Sequence, residues 1–449
     1  MIAIRILTVA LPFVLSFFLL PTSTKDVVST LYTPHTVIVI AFALIISVMS
    51  FIYEGRNSSL VDLLIKFRPS PIILLALAYT TWILICSYLS PMPGYAFLGS
   101  PFFEFGSIAI ISCLFIVRIY AKYANVQAMM RMLALITIIM AMITVLEAIG
   151  FRPLASLVGS EKTAYPAALI GHRPHLGGWF AALALAPIFF YRKRVPDGWF
   201  WSWLTAGLIG LALTTTSTAL IGALVGLLMW VGNGIRSRKV LPLLVLLVFL
   251  GSIKVLPVVS QTIGHQMGHG TTQFKNLASA STVETRLLLW RSATTATLER
   301  PLIGWGDETF AYQVFEHLKP SDAKTLFREE LGLNHEYNVI YKGFTYYITN
   351  PKADYRRTGS LMYVRAHNIV FDELYSHGAL GFLLFISLLI TVLWWVMQRG
   401  KGNAFFFLIA TLPFCIFMLA WFYIPTVAPI FFILIGTMLA DLKSSSRFT

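Results

Sequence analysis

Residues 360 to 385 read SLMYVRAHNIVFDELYSHGALGFLLF, so that Arg365, His367, Asn368, Asp372, Glu373 and His377 stand directly before a run suited to lipid. Such groups can grip an anion, take a proton and pair with one another. Histidine, with an ordinary pKa of about 6.5, can serve as a general base near neutral pH. His367, Val370, Phe371 and Leu374 recur at i, i+3, i+4 and i+7, which predicts one helical face with His367 turned inward among apolar residues. The competing reading is a structural histidine. Glu373 and His377 are one turn apart and able to pair, and Asn368 suits a helix start.

A second group lies upstream, in STVETRLLLWRSATTATLERPLIGWG at 281–306. Ser281 and Glu284 fit a capping box, and Pro301, Gly304 and Gly306 end the helix. Val283, Leu287, Trp290, Thr294 and Leu298 can share a face, which predicts a helix lying on the membrane surface or on the ends of spans. Arg286 and Arg291 flank Trp290, and Arg291 is equally readable as an anchor reaching for headgroups. A third arginine, Arg173, sits between His172 and His175 where another apolar run begins. Arginine at the edge of hydrocarbon needs water or an anion, and a phosphate accepts its fork of donors.

Other chemistries find less support. His265 and His269 have metal-binding spacing, but Gly264, Gly268 and Gly270 argue against a helix there and no third ligand is evident. No D-x-D pair, P-loop, Rossmann glycine fingerprint or G-x-S-x-G elbow occurs. No metal or other cofactor is expected.

The elements that must position these groups are membrane spans. The 449 residues are 57% hydrophobic and only 12% charged, far below the roughly 25% charged of soluble domains. The formal charge of +14 therefore reflects loop topology, not nucleic acid. With about 20 apolar residues needed per crossing, runs lie near 3–20, 34–53, 71–90, 102–121, 131–150, 175–191, 200–214, 217–233, 239–258, 379–397, 403–421 and 424–441. That predicts an all-α, polytopic protein of about twelve transmembrane helices: 1–258 for the first nine, a large external loop at 259–378, and 379–449 for the last three and the tail. Cys86, Cys113 and Cys415 fall in these runs as small buried residues. Arg56, Lys66 and Arg68, then Arg118, Lys122 and Arg131, Arg192 to Arg194, Arg236 to Lys239, Arg399 and Lys401, and Lys443 with Arg447 mark alternate connections as cytoplasmic. Both termini then face the cytoplasm, while 151–174 and 259–378 face outward, where function is sought.

These fragments resemble the bacterial O-antigen ligase and polymerase superfamily. The recurrent pattern is an Arg-x-x-x-Trp helix, a Pro-x-x-Gly-x-Gly turn and a large external loop ending in His-Asn before a Gly-rich span entry. Here it is carried by Arg286 and Trp290, by Pro301, Gly304 and Gly306, and by His367 and Asn368 with Gly378 and Gly381. One departure stands out, since the family often has an arginine where this chain has Ser217, in TTSTALIG. Either Arg173 supplies that charge or the subgroup differs.

The resemblance implies a GT-C-like inner-membrane glycosyltransferase with a periplasmic site. It implies an undecaprenyl-pyrophosphate-linked glycan as donor, a lipid A-core hydroxyl as acceptor, and membrane lipids as surroundings. His367 would be the base and Arg286 the catalytic charge at the pyrophosphate. Arg173, Arg291, Arg365, Asn368 and His175 would line the substrates. A polymerase or a protein O-oligosaccharyltransferase would use the same chemistry. A lipid or solute transporter, the alternative of another class, calls for ionisable residues at mid-membrane, whereas Glu104 and Glu147 both fall near outer ends.

Overall fold

The computed structural model describes residues 1–20, 27–55, 70–152, 166–191, 197–236, 241–266, 280–331, 333, 338–343, 345–350, 355–361, 363–399 and 401–445. Among the cytoplasmic-loop markers, Arg56, Lys66, Arg68, Arg192 to Arg194, Arg238, Lys239 and Arg447 lie outside these, as does His269.

Each of the twelve apolar runs is helical. They form α1 (Ile2–Phe17), α2 (Thr33–Gly55), α3 (Pro71–Tyr88), and, after the short α4 (Pro93–Leu98), α5 (Ser107–Tyr123) and α6 (Val126–Ala148). The sixth run is broken into α7 (Arg173–Leu183) and α8 (Ala186–Phe190), followed by α9 (Asp197–Thr214), α10 (Ser217–Arg236) and α11 (Leu241–Gln266). After the long insertion come α15 (Ile369–Met397), α16 (Lys401–Met418) and α17 (Ala428–Ser445). By length and composition alone, the helices at 28–54, 71–88, 126–148 and 369–397 can cross a membrane. At about 1.5 Å per residue, the 23 residues of α2 extend roughly 34 Å, against a hydrocarbon core of about 30 Å. Outward apolar side chains such as Leu44, Ile45, Ile390 and Trp394 are exposed, a surface favoured by lipid and penalised by water.

The helix α7 is the hub of the bundle, packed by α9, α10, α16 and α17. Every residue from His175 to Phe190 is buried. Gly177 and Gly178 permit this, since a methyl there would collide with Thr216 and Phe417 respectively. Arg173 and His175 are therefore fixed at the end of the most constrained helix.

The insertion forms its own core. It contains α12 (Ala280–Glu299), α13 (Phe310–Gln313), α14 (Pro320–Leu331) and the strands β1 (Asn338–Lys342), β2 (Thr345–Asn350) and β3 (Tyr355–Ser360). The three strands make an antiparallel meander in the order β1-β2-β3, with Val339 opposite Ile348 and Ile348 opposite Arg357. This sheet departs from the all-α expectation. Its strands are short and half-polar, and their alternating burial shows only once Val339, Tyr346 and Ile348 meet Phe327 and Phe315 in one cluster. Tyr375, in the first part of α15, belongs to that second core.

Several local expectations are corrected. The helix α12 starts at Ala280, one residue before the expected cap Ser281. Its buried face is Leu288, Leu289, Ser292, Ala293 and Ala296, while Val283, Leu287, Thr294 and Leu298 are exposed. The apolar signal on the expected face thus points away from the protein. Gly264 does not stop α11, which runs through His265 to Gln266. Cys415 is exposed, unlike Cys86 and Cys113.

Candidate active site

The inserted domain is joined to α15 by a backbone motif. At Gly378 the helix is interrupted by φ 66° and ψ −174°, a conformation open essentially to glycine alone. The interruption frees carbonyls from the helical ladder. Those of Tyr375 and Ser376 accept from the amides of Trp305 (2.8 Å) and Gly306 (2.9 Å), and Trp82 Nε1 donates to His377 O at 3.0 Å. In return the Ala379 amide donates to Pro301 O at 2.7 Å. Gly304 lies so close that a Cβ would sit 2.5 Å from Tyr375 O. The Pro-x-x-Gly-x-Gly turn and the Gly-rich span entry are thus two halves of one joint, which sets α12 beside the segment that carries His367.

His367 is not on the helix. It precedes the N-cap Asn368, whose side chain accepts from the Val370 amide at 2.9 Å, and it adopts φ 57°. Two forces hold it there: the Nδ1–H donates to Arg365 O at 3.0 Å, and the ring meets Trp421 and Phe422 edge to face, each with centroids 5.0 Å away. A carbonyl can only accept, so Nδ1 carries the hydrogen and Nε2 presents its lone pair. Among the described residues no protein group takes Nε2. The ring is set deep but stays partly accessible. Burial lowers its pKa to about 4; the Arg365 hydrogen bond opposes this, and the charges of Arg286 and His172 add to it. His367 is accordingly a neutral imidazole at pH 7 with a free acceptor nitrogen, a weaker base than the ordinary pKa suggested.

Arg286 comes to this imidazole from α12, near enough for its charge to act on the ring. It is half-buried, burial lowers its pKa, and it remains charged at any ordinary pH. Among the described residues it has neither a hydrogen bond nor an ion pair. A half-buried guanidinium without a carboxylate is an unmet demand for an anion.

The third contribution comes from 166–175. Glu147, buried at the end of α6, accepts from the amides of Ala167 and Ala168, both at 2.8 Å, and so pins the turn that leads to α7. The buried His175 Nδ1 bonds to Tyr32 Oη at 2.7 Å, and its ring lies 5.8 Å from Trp421 and 4.9 Å from His172. Arg173 donates to Thr215 Oγ1 at 3.1 Å. Thr215 lies in the connection just before Ser217, so Arg173 stands beside the position where the family often has its arginine. His367, Arg286 and His175 therefore converge with the Trp421–Phe422 pair, while Arg173 flanks them from α7.

Three residues expected to contact substrate have partners within the protein. Arg365 is buried and committed, with donors to Asp307 Oδ1 (3.1 Å) and Phe105 O (3.2 Å) and with Glu308 at 3.8 Å. Burial would lower its pKa, but Asp307 and Glu308 raise it. Arg291 is exposed and paired with Asp322 at 2.6 Å. Asn368 caps α15. The first two lie near Arg286 or His367 in sequence, and nothing in the sequence revealed their carboxylate partners.

The expected Glu373–His377 pair does form at 2.9 Å, within a larger buried network. His377 also reaches Asp307 at 3.1 Å, and Tyr79 donates to Glu373 at 2.8 Å. Burial would raise the Asp307 pKa, but His377 and Arg365 hold it below the usual carboxylate range. Residues that sequence reasoning missed are Asp307 and Glu308, Trp421 and Phe422, His172 and Tyr32. The only sequence signal for the first pair was the uncompensated Arg365. Among the described residues no three His, Cys, Asp or Glu side chains gather as a metal seat.

Fold and site together define an integral membrane protein in which the domain between α11 and α15 presents a neutral imidazole and an arginine that has no partner among the described residues. Residues 201–386 match the sequence model of the O-antigen ligase family, a match that supports the O-antigen ligase superfamily and a glycosyltransferase-like role in O-antigen processing. The matched region includes Arg286, the 301–306 turn and His367; Arg173 and His175 lie before it. A search of curated proteins finds no match.

Proposed function

We propose that the chain transfers a glycan from an undecaprenyl-pyrophosphate carrier to a hydroxyl of lipid A-core, as an O-antigen ligase. The acceptor O–H gives its proton to His367 Nε2 as its oxygen bonds to the anomeric carbon. The bond from that carbon to the pyrophosphate oxygen breaks, and the electron pair leaves with the diphosphate. Arg286, with Arg173 to one side, meets the charge that grows there. The donor is already activated, so the step needs neither ATP nor a metal. The proposal includes about twelve spans in the bacterial inner membrane, both termini in the cytoplasm, and the domain at 259–378 in the periplasm.

One observation carries this reading: among the described residues, an imidazole whose Nε2 has no protein partner lies within reach of the charge of a guanidinium that has none either. In the test, purified protein receives a lipid-linked glycan together with either lipid A-core or a second lipid-linked unit. Glycan joined to lipid A-core supports the ligase; elongation on the carrier makes it a polymerase. His367→Ala should abolish transfer with normal expression, and a fully active variant removes the base assignment.

A further inference from the structure

The buried charge network around Arg365 has no place in the transfer step, yet it occupies the centre of the joint between the external domain and the spans. Arg365 and Asp307 are 4% and 1% exposed, His377 and Glu373 1% and 3%. Burying so many ionisable groups rarely gains stability over a well-packed apolar core, so such a network calls for a reason.

Its members hold a single loop from several sides. Asp307 and Phe105 O take the two arms of the Arg365 guanidinium. Glu308 accepts from the Ser100 amide at 2.5 Å and from the Phe105 amide at 3.2 Å, locking the very segment whose carbonyl receives Arg365. One residue on, the Ala366 amide donates to Asp372 Oδ1 at 2.7 Å. The bonds to Asp307, Phe105 and Asp372 fix residues 365 and 366 directly, and Glu308 fixes the segment that supplies the Phe105 carbonyl. The backbone they fix ends in the carbonyl that accepts from His367 Nδ1. Which imidazole nitrogen carries the proton is set by the bond the other nitrogen, or the same one, can make.

We infer that the Asp307–Arg365 clamp, with Glu308 behind it, is a positioning device that holds the Arg365 carbonyl against His367 and so keeps the imidazole in the tautomer whose Nε2 is free to take the acceptor's proton. These are positioning residues; none touches substrate. The inference rests on His367 being the base, and the same arrangement explains why Arg365, though adjacent to the site, is not offered to the diphosphate. Releasing the clamp lets the loop relax and the proton move to Nε2, where it blocks the acceptor.

The test uses full-length protein labelled with nitrogen-15 in histidine. The chain has nine histidines, so the His367 signals are those lost in His367→Ala. Wild type should show a protonated Nδ1 and an unprotonated Nε2 at pH 7. Asp307→Asn takes the charge from the main arm of the clamp and leaves one neutral acceptor oxygen where Arg365 and His377 each had their own, and Arg365→Lys keeps the buried charge while losing the fork. In both, the His367 signals should move toward mixed tautomers, and kcat should fall about ten- to a hundredfold, as for other groups that orient a reactive histidine, with the donor KM unchanged. If neither variant folds, Glu308→Gln, which keeps one of the two oxygens that accept from Ser100 and Phe105 and sets an NH2 donor in place of the other, gives the same two readings. A His367 tautomer unchanged in folded variants overturns the clamp whatever the activity. An active His367→Ala enzyme with a shifted tautomer in the variants would sink the base assignment and leave the clamp standing.

Discussion

Acid titration reads the His367 environment directly. The transfer needs a neutral imidazole, and burial lowers the His367 pKa to about 4. The active form therefore persists to low pH and is lost only as pH falls through that value. At pH 5 a group with that pKa is about 90% neutral, whereas one at the ordinary value of about 6.5 is about 3% neutral, so the two cases differ about thirtyfold in kcat/KM. The Asp307 carboxylate stays ionised through this comparison. The Asp307 carboxyl is held below its unfolded value, so its stabilisation is fully present above a pH of about 3.9 and is lost as pH falls through the lower folded value. Initial rates at low donor concentration from pH 4 to 8, with circular dichroism as a folding control, give the free-enzyme profile. The profile of kcat adds a second reading: an anionic diphosphate beside the ring favours its protonated form, so the acid limb of kcat should lie at higher pH than that of kcat/KM. An acid limb of kcat/KM centred near 6.5 would refute the desolvated setting. Coincident limbs would refute the proximity of diphosphate and imidazole.

Three further outcomes are expected. Arg286→Ala should weaken donor affinity about 10- to 100-fold, the worth of a charge-assisted hydrogen bond of about 1.5–3 kcal/mol; unchanged binding of a lipid-linked donor would remove its role. Arg173→Ala should lower activity, and adding Ser217→Arg should restore part of it if the two positions serve one charge site; no rescue in the coupled assay points to a different subgroup. Gly378→Ala should destabilise by at least about 1–3 kcal/mol, because the required backbone conformation is nearly closed to alanine and its methyl would meet the Leu302 carbonyl, and a thermal shift in detergent reads this.

The sequence alone determined the helical runs, because about 20 consecutive apolar residues can satisfy their backbone in lipid only as a helix. It also offered candidates for the chemistry: His367, Arg286, Arg173 and the Pro301 to Gly306 turn stand out by residue type and spacing, and the family pattern links all of these but Arg173. Some local structure was legible as well, such as the Glu373–His377 pair, since residues four apart on a helix must be neighbours. His367 itself was placed wrongly on the helix. Its i, i+3, i+4 spacing to Val370 and Phe371 is real, but the Asn368 cap starts the helix after it.

Only the tertiary structure decided which arginines are free. Arg286, Arg291 and Arg365 look alike in sequence, each within a polar stretch beside an apolar one. Their fates depend on Asp322 and on Asp307 with Glu308, residues 31 and about 58 positions away. Likewise the imidazole's setting is made by Trp421 and Phe422, the clamp by Phe105 and Ser100, and the joint by Gly378 against Leu302. Periodicity encodes which way a residue faces along its own helix. It does not encode which distant carboxylate arrives to neutralise a charge, and that pairing settles whether an arginine holds the fold together or waits for a substrate.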